Sequence, residues 1–275
     1  MRRVSARSGM HIRASLWFKI IIILNVSTLL DSTATWGDRQ LFPPDQIPEN
    51  ALSPKRAVVR RKIVTYHNFF RTKVRPTASN MLMMTWHAGA ARQAQRYAEK
   101  CIFLQHNNPQ ENIVPDLGTC GQNLFVAAQK TPWFFALRTW FVEYRNFTYG
   151  HPVVNLKVVG HYTQMVWATS HKVGCGFAHC PGGPWGHFYN YVCHYCPGGN
   201  YDTITHYPYK TGKKCADCKD QCVAHALCTN ACPKKDVYTN CNEIVNISPN
   251  FCRDGYCNAT CACGDNRIHK NYPWK

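Results

Sequence analysis

The chain reads as α+β: helices packed against an antiparallel sheet in a larger domain, then a small domain held by disulfides. Three observations predict this. Runs with helical period come first, between residues 61 and 144. Two runs with strand character follow as neighbours across a short loop, which places them in one antiparallel pair. Ten of the sixteen cysteines crowd between Cys215 and Cys263, while the other six are spread from Cys101 to Cys196.

Taken in order, the chain opens on "MRRVSARSGMHIR", a basic stretch, followed by the mostly apolar "LWFKIIIILNVSTLL" and the small residues "DSTAT". That is the signal-peptide pattern, with cleavage placed near Ala34. The apolar run is about 15 residues against the roughly 20 that a spanning helix needs, and Lys19 interrupts it. A basic arm is expected over residues 35–59. In "RKIVTYHNFFRTKV", Ile63, Val64, His67, Phe70 and Val74 recur at helical spacing until Pro76 stops the run. In "AARQAQRYAEKC", Ala90, Ala91, Ala94, Tyr97, Ala98 and Cys101 share one face. "WFFALRTWFVEY" makes a third helix. "KVGCGFAHC" alternates Val173, Cys175, Phe177 and His179 as a strand does. "HFYNYVCHY" is aromatic and β-branched, a second strand, and "PGGPWG" between them reads as a hairpin loop.

The Gly- and Pro-rich "CPGGNYDTITHYPYKTGKKC" marks the boundary between the two parts. A segment of about 60 residues buries too little apolar surface to fold comfortably alone, and short disulfide loops supply the missing stability. An even cysteine count in a secreted chain points to eight disulfides. The rival use is zinc, for which "CADC" at 215–218 has ligand spacing. Sequons at Asn146, Asn246 and Asn258 mark candidate surface glycans.

The formal charge is +17, and +13 once residues 1–34 are removed; most of that excess lies before residue 196. Between Lys55 and Arg75 there are eight basic residues and no acid. Such a run suits anionic lipid, a sulfated glycan or an acidic receptor. The plainer reading is a solvated helix face with a flexible arm. "SPKR" and "VVRR" in this arm also read as weak processing signals. Secretion separates the chain from nucleic acid.

The motifs "GHYTQMVWATSHKVGCGFAHC" and "YNYVCHYCPGGNY" closely resemble the two signatures of the CAP superfamily, and "PTASNMLMMTW" and "CGQNLF" match its other landmarks in order. The ten-cysteine tail, with "CADCKDQC" and "CTNAC", resembles that of the cysteine-rich secretory proteins. The resemblance implies an α-β-α sandwich over residues 60–200, a linker and cysteine-rich hinge over 201–231, a domain like the sea-anemone potassium-channel toxins over 232–263, and a terminal stretch over 264–275. It implies the pairs Cys101–Cys180, Cys120–Cys196 and Cys175–Cys193, then Cys215–Cys222 and Cys218–Cys228, then Cys232–Cys263, Cys241–Cys257 and Cys252–Cys261. It also implies a cleft of two histidines and two acids, matched here by His106, His161, Glu143 and Gln122. Gln122 departs from the family's usual acid, and His106 lies five residues after Cys101 where relatives have four.

The resemblance implies a secreted glycoprotein that regulates an ion channel (calcium, potassium or ryanodine-type) or binds another cell-surface protein, as a toxin, glandular secretion or reproductive-tract protein. The rival is a lipid-, sterol- or sperm-surface-binding protein. Two neutral imidazoles beside a carboxylate suit weak zinc binding. The alternative is that His161 is a hydrogen-bonded structural histidine. An enzyme is not expected: no thiolate is left unpaired, no "GxSxG" occurs, and the hydroxyls of Thr163 and Ser170 lie near His161 in sequence, which does not make a triad. Two sets of residues are candidates for channel contact: Lys234, Lys235 and Tyr238, and Arg253 with Phe251 and Tyr256.

Overall fold

A computed structural model describes residues 46–115, 117–234, 236–238, 240–263 and 267–269. The expected signal peptide, Lys235 and most of the terminal stretch lie outside these residues.

Helix α1 (Ala57–Arg71) buries Val59, Ile63, His67, Phe70 and Arg71, one stripe at helical spacing. Helix α2 (Ala88–Glu99) buries Ala90, Ala94, Tyr97 and Ala98. Helix α3 (Trp133–Val142) buries Trp133, Ala136, Leu137 and Trp140. Between these helices lies a four-stranded sheet of order β1-β5-β6-β4, formed by β1 (Thr85–Trp86), β4 (Gly121–Ala127), β5 (Lys172–Pro181) and β6 (His187–Cys196). The remaining short ladders are β2 (Ile113–Val114) with β3 (Gly118–Thr119), and β7 (Cys222–Val223) with β8 (Leu227–Cys228).

The alternation read in "KVGCGFAHC" separates the two faces of β5. Val173, Cys175 and Phe177 pack with Tyr191, Cys193 and Tyr195 of β6 beneath α1 and α3. The opposite face carries Gly174 and Gly176, where a Cβ would fall 2.1 Å from the Ala91 backbone nitrogen and 2.4 Å from Gln95 Cα. The glycines therefore let α2 lie directly on the strand. Gln95 completes that contact: its Oε1 accepts from Phe177 N–H at 3.0 Å, and its Nε2 donates to Phe177 O at 2.9 Å. His179, at the end of the alternation, is exposed.

Several elements differ from the sequence reading. β1 pairs with β5 in parallel, so the sheet is mixed. β4 and helix α4 (Leu156–Met165) carry no clear period and emerge only here. The folded body begins ahead of residue 60: Leu52 is buried, and its carbonyl accepts from Trp133 Nε1 at 2.7 Å. "VVRR" lies inside α1, where a helical backbone opposes proteolysis. Of the eight basic residues from Lys55 to Arg75, Arg71 is no surface charge. It is 1% exposed, and its guanidinium donates to Leu82 O, Met165 O, Trp167 O and Ala168 O at 2.7–3.0 Å.

The eight disulfides are Cys101–Cys180, Cys120–Cys196, Cys175–Cys193, Cys215–Cys222, Cys218–Cys228, Cys232–Cys263, Cys241–Cys257 and Cys252–Cys261. The hinge is hydrogen-bonded to the larger domain: Met83 N donates to Cys228 O and Cys228 N to Met81 O, both at 2.8 Å. The tail folds as three short helices, α5 (Cys241–Ile247), α6 (Asn250–Arg253) and α7 (Asn258–Ala262).

Two outcomes follow. Gly176→Ala forces α2 off the sheet and lowers the unfolding free energy by about 2–3 kcal/mol, measured by denaturant titration. Burial pushes the imidazoles of His67, His171 and His194 down to about 4. The unfolded chain then binds more protons than the fold between about pH 6.5 and 4, so stability is full above that window and falls as pH drops through it. For the fully buried His67 and His194 the slope is up to about 1.4 kcal/mol per pH unit each. A thermal midpoint that stays level from pH 7 to 4.5 would contradict this.

Candidate functional site

The stretch "GHYTQMVW" forms the last part of α4 and the turn after it. Asn155 caps this helix by accepting from Lys157 N at 3.0 Å. Most of the motif is buried, and the side chains of Thr163 and Gln164 are committed to the loop after β6. Gln164 Oε1 accepts from Gly199 N at 2.9 Å, and its Nε2 donates to Ser170 Oγ at 3.1 Å. Thr163 Oγ1 donates to Asn200 Oδ1 at 2.7 Å, and Ser170 Oγ to Pro197 O at 2.6 Å. The hydroxyls of Thr163 and Ser170 are thus structural ties, and neither is bonded to the His161 ring.

His161 itself turns to the surface. Its Nδ1 lies 2.7 Å from Glu143 Oε1, and the other carboxylate oxygen of Glu143 accepts from Tyr162 N at 3.0 Å. The ring stacks over Trp140, with centroids 6.1 Å apart. The edge strand β4 lies beside it: Asn123 Nδ2 donates to the His161 carbonyl at 3.0 Å and, more weakly, to Tyr195 Oη at 3.4 Å. Tyr195 Oη also lies 2.9 Å from His67 Nε2, which ties the site to α1.

A second pair lies on the other face of the same strand. Gln122 sits opposite His194 in the β4–β6 register. Its Oε1 accepts from His106 Nδ1 at 2.8 Å, and its Nε2 donates to His194 Nε2 at 3.2 Å. Burial, then the nearby Arg96 charge, holds the His194 imidazole down at about 4, so it is the neutral acceptor this contact needs. His194 is a site residue that the sequence reading missed. Its only signal would have been the register of β4, a strand without a readable period.

Glu143 and Gln122 therefore play one role on two histidines. Each engages an Nδ1 and leaves an Nε2 lone pair free, the arrangement that orients imidazole ligands for a metal. A zinc ion shared by His106 and His161 would use these atoms, with water completing the shell; among the described residues the two histidines and Glu143 do not form a group of donors within 4.8 Å of one another. Two nitrogens make a weak site. Among the described residues, one group of three or more His, Cys, Asp or Glu donors lies within 4.8 Å of one another: Cys215, Cys218 and Cys228. Cys215 is bonded to Cys222 and Cys218 to Cys228, so no thiolate remains there and the zinc reading of "CADC" is corrected.

In the tail the two candidate contact sets converge. The rings of Tyr238, Phe251 and Tyr256 lie 5.8–6.3 Å apart in one cluster. Val237 is 58% exposed beside them, and the Arg253 side chain is 77% exposed. Lys234 is exposed, and Lys235 lies outside the described residues. Asn146, Asn246 and Asn258 are all exposed.

Comparison with known proteins bears on the family and the fold. Residues 64–195 match the family model described as the cysteine-rich secretory protein family, and residues 215–268 match the Crisp model. The chain is 40% identical over 219 residues to human cysteine-rich secretory protein 3, covering 78% of this chain and 87% of that one. It is 38% identical over 251 residues to human cysteine-rich secretory protein 2, covering 90% and 98%. Among solved structures, that of NaASP2 with Zn2+ is 26% identical, with a TM-score of 0.51 over 62% of this chain and 94% of that one.

If the two histidines share a metal, His161→Ala abolishes zinc binding measured by calorimetry, and unchanged affinity places any ion elsewhere. Gln122→Glu should tighten binding by about tenfold through a more basic His106. It should also raise the His194 pKa, read by NMR titration, because a carboxylate replaces a neutral donor.

Proposed function

The chain belongs to the cysteine-rich secretory protein family, and from that premise we propose that it is a secreted, non-enzymatic protein that modulates an ion channel through its tail. The observation that carries this reading is the ring cluster of exposed Tyr238 and Tyr256 with half-buried Phe251, near exposed Arg253 in sequence. Aromatic residues beside a cation are what binding hot spots are made of. Three disulfides fix the short helices that carry the rings, so little ordering cost is added on contact. The larger domain serves as a second, electrostatic contact.

The histidine cleft serves as a modulator of surface or stability that takes zinc weakly at His106 and His161. NaASP2, a relative in fold, was solved with Zn2+, which supports zinc as the ion to test.

The experiment records currents from a panel of calcium, potassium and ryanodine-type channels with the full, oxidised protein. On a channel it inhibits, the double variant Tyr238→Ala/Tyr256→Ala should weaken inhibition by roughly 30-fold or more, the scale of a hot-spot loss. Inhibition unchanged in that variant would overturn the assignment to the tail, as would full inhibition by the larger domain alone.

A further inference from the structure

A second recess lies at the β1 edge of the sheet, where α1 and α2 flank a short strand. Its volume is ≈ 600 Å³. Lys55 and Arg60 line it from the start of α1, and Arg92, Gln95 and Arg96 from α2, with Trp86 of β1 among the lining residues. Among the described residues, none of the four cations has a carboxylate oxygen within 4.0 Å; the ion pairs lie elsewhere. Arg60 is fixed at the rim, where its Nη1 donates to Lys55 O at 2.8 Å and to Pro54 O at 3.3 Å. Lys172 adds a further positive charge nearby. Burial, then Lys172 and Arg92, holds the His87 imidazole below its usual range.

This arrangement works against the fold's own stability. Like charges face each other across one recess, and α1 begins with Arg56 as N-cap and no acid in its first turn. A helix N-terminus favours negative charge, so this one is crowded with the wrong sign. A bound anion would offset both costs.

We propose that this cleft binds a sulfated glycan. Sulfate groups match the forked donors of Arg92 and Arg96, which stand one turn apart on α2. The indole of Trp86 offers a flat apolar face for a sugar ring. The recess is shallow and open to solvent, and its volume falls within the roughly 300–1,000 Å³ range of small-ligand sites. A bilayer, which presents a flat array of headgroups, meets convex surfaces instead. The proposal rests on the secreted location and is independent of channel modulation.

The test is calorimetry with the full chain and a fully sulfated heparin tetrasaccharide, beside its desulfated form and vesicles containing phosphatidylserine. The arginine pair is exposed, so Arg92→Gln/Arg96→Gln should keep the wild-type unfolding midpoint. That variant should lose tetrasaccharide affinity by ~10–100-fold, the effect of deleting two charge-assisted contacts. The charge-matched control Lys213→Gln/Lys219→Gln, at exposed hinge positions away from the cleft, should stay within about twofold of wild type, which separates a site from diffuse attraction. Equal losses in both variants would overturn the proposal. So would tetrasaccharide binding that survives desulfation, or vesicle binding that depends on the arginine pair while the tetrasaccharide does not bind.

Discussion

The buried guanidinium of Arg71 holds this fold together at the point where its parts meet. It sits at the last residue of α1 and reaches the carbonyls of Leu82, Met165, Trp167 and Ala168. Those carbonyls belong to the segment leading into β1 and to the end of α4; Trp167 O and Ala168 O also accept from the backbone N–H groups of Ser170 and Leu82. Taking a cation out of water costs several kcal/mol, and among the described residues no carboxylate oxygen lies within 4.0 Å to offset it. The compensation comes from charge-assisted bonds to four carbonyls, some at a helix C-terminus, where the backbone dipole is negative. Burial lowers the Arg71 pKa to about 9, which leaves it charged at neutral pH.

Because Arg71 fixes the end of α4, it also fixes the setting of His161. His161 is carried on that helix, and its carbonyl is held by Asn123 of β4. The same charge helps keep His67 and His171 neutral in the core, after burial itself. The cleft is thus organised from behind by neutral, buried imidazoles and one buried cation, while Glu143 and Gln122 orient the two histidines at the surface. An amide at 122 can both accept from His106 and donate to His194, which a carboxylate cannot do. The departure from the usual acid is therefore coupled to a buried neighbour in this chain.

Much of the frame was legible in the sequence. α1, α2 and α3 each bury one stripe, so their apolar residues keep a helical period. β5 and β6 are covered on both faces and were legible from the alternation of large residues with glycines in β5 and from the aromatic, β-branched run of β6. The first CAP signature carries His161, and the family resemblance pointed to Glu143 in "WFVEYRNF". What stayed hidden shares a cause. α4 buries Val159, Tyr162, Thr163, Gln164 and Met165, polar and apolar together, so no amphipathic stripe survives. β4 is an edge strand with mixed polarity, and β1 is two residues long. Without β4 the Gln122–His194 register cannot be drawn. Arg71 resembles its seven basic neighbours in sequence, and only the approach of four distant carbonyls distinguishes it.

Arg71 is therefore a structural clamp rather than a surface charge. Equilibrium denaturant unfolding of Arg71→Met, with disulfides intact, tests this most directly. Methionine fills similar space but donates nothing, so the carbonyls of Leu82 and Met165 lose their charged partner. The unfolding free energy should fall by about 3–5 kcal/mol with the denaturant slope unchanged. A loss below about 1 kcal/mol, the scale of an ordinary surface substitution, would contradict the clamp.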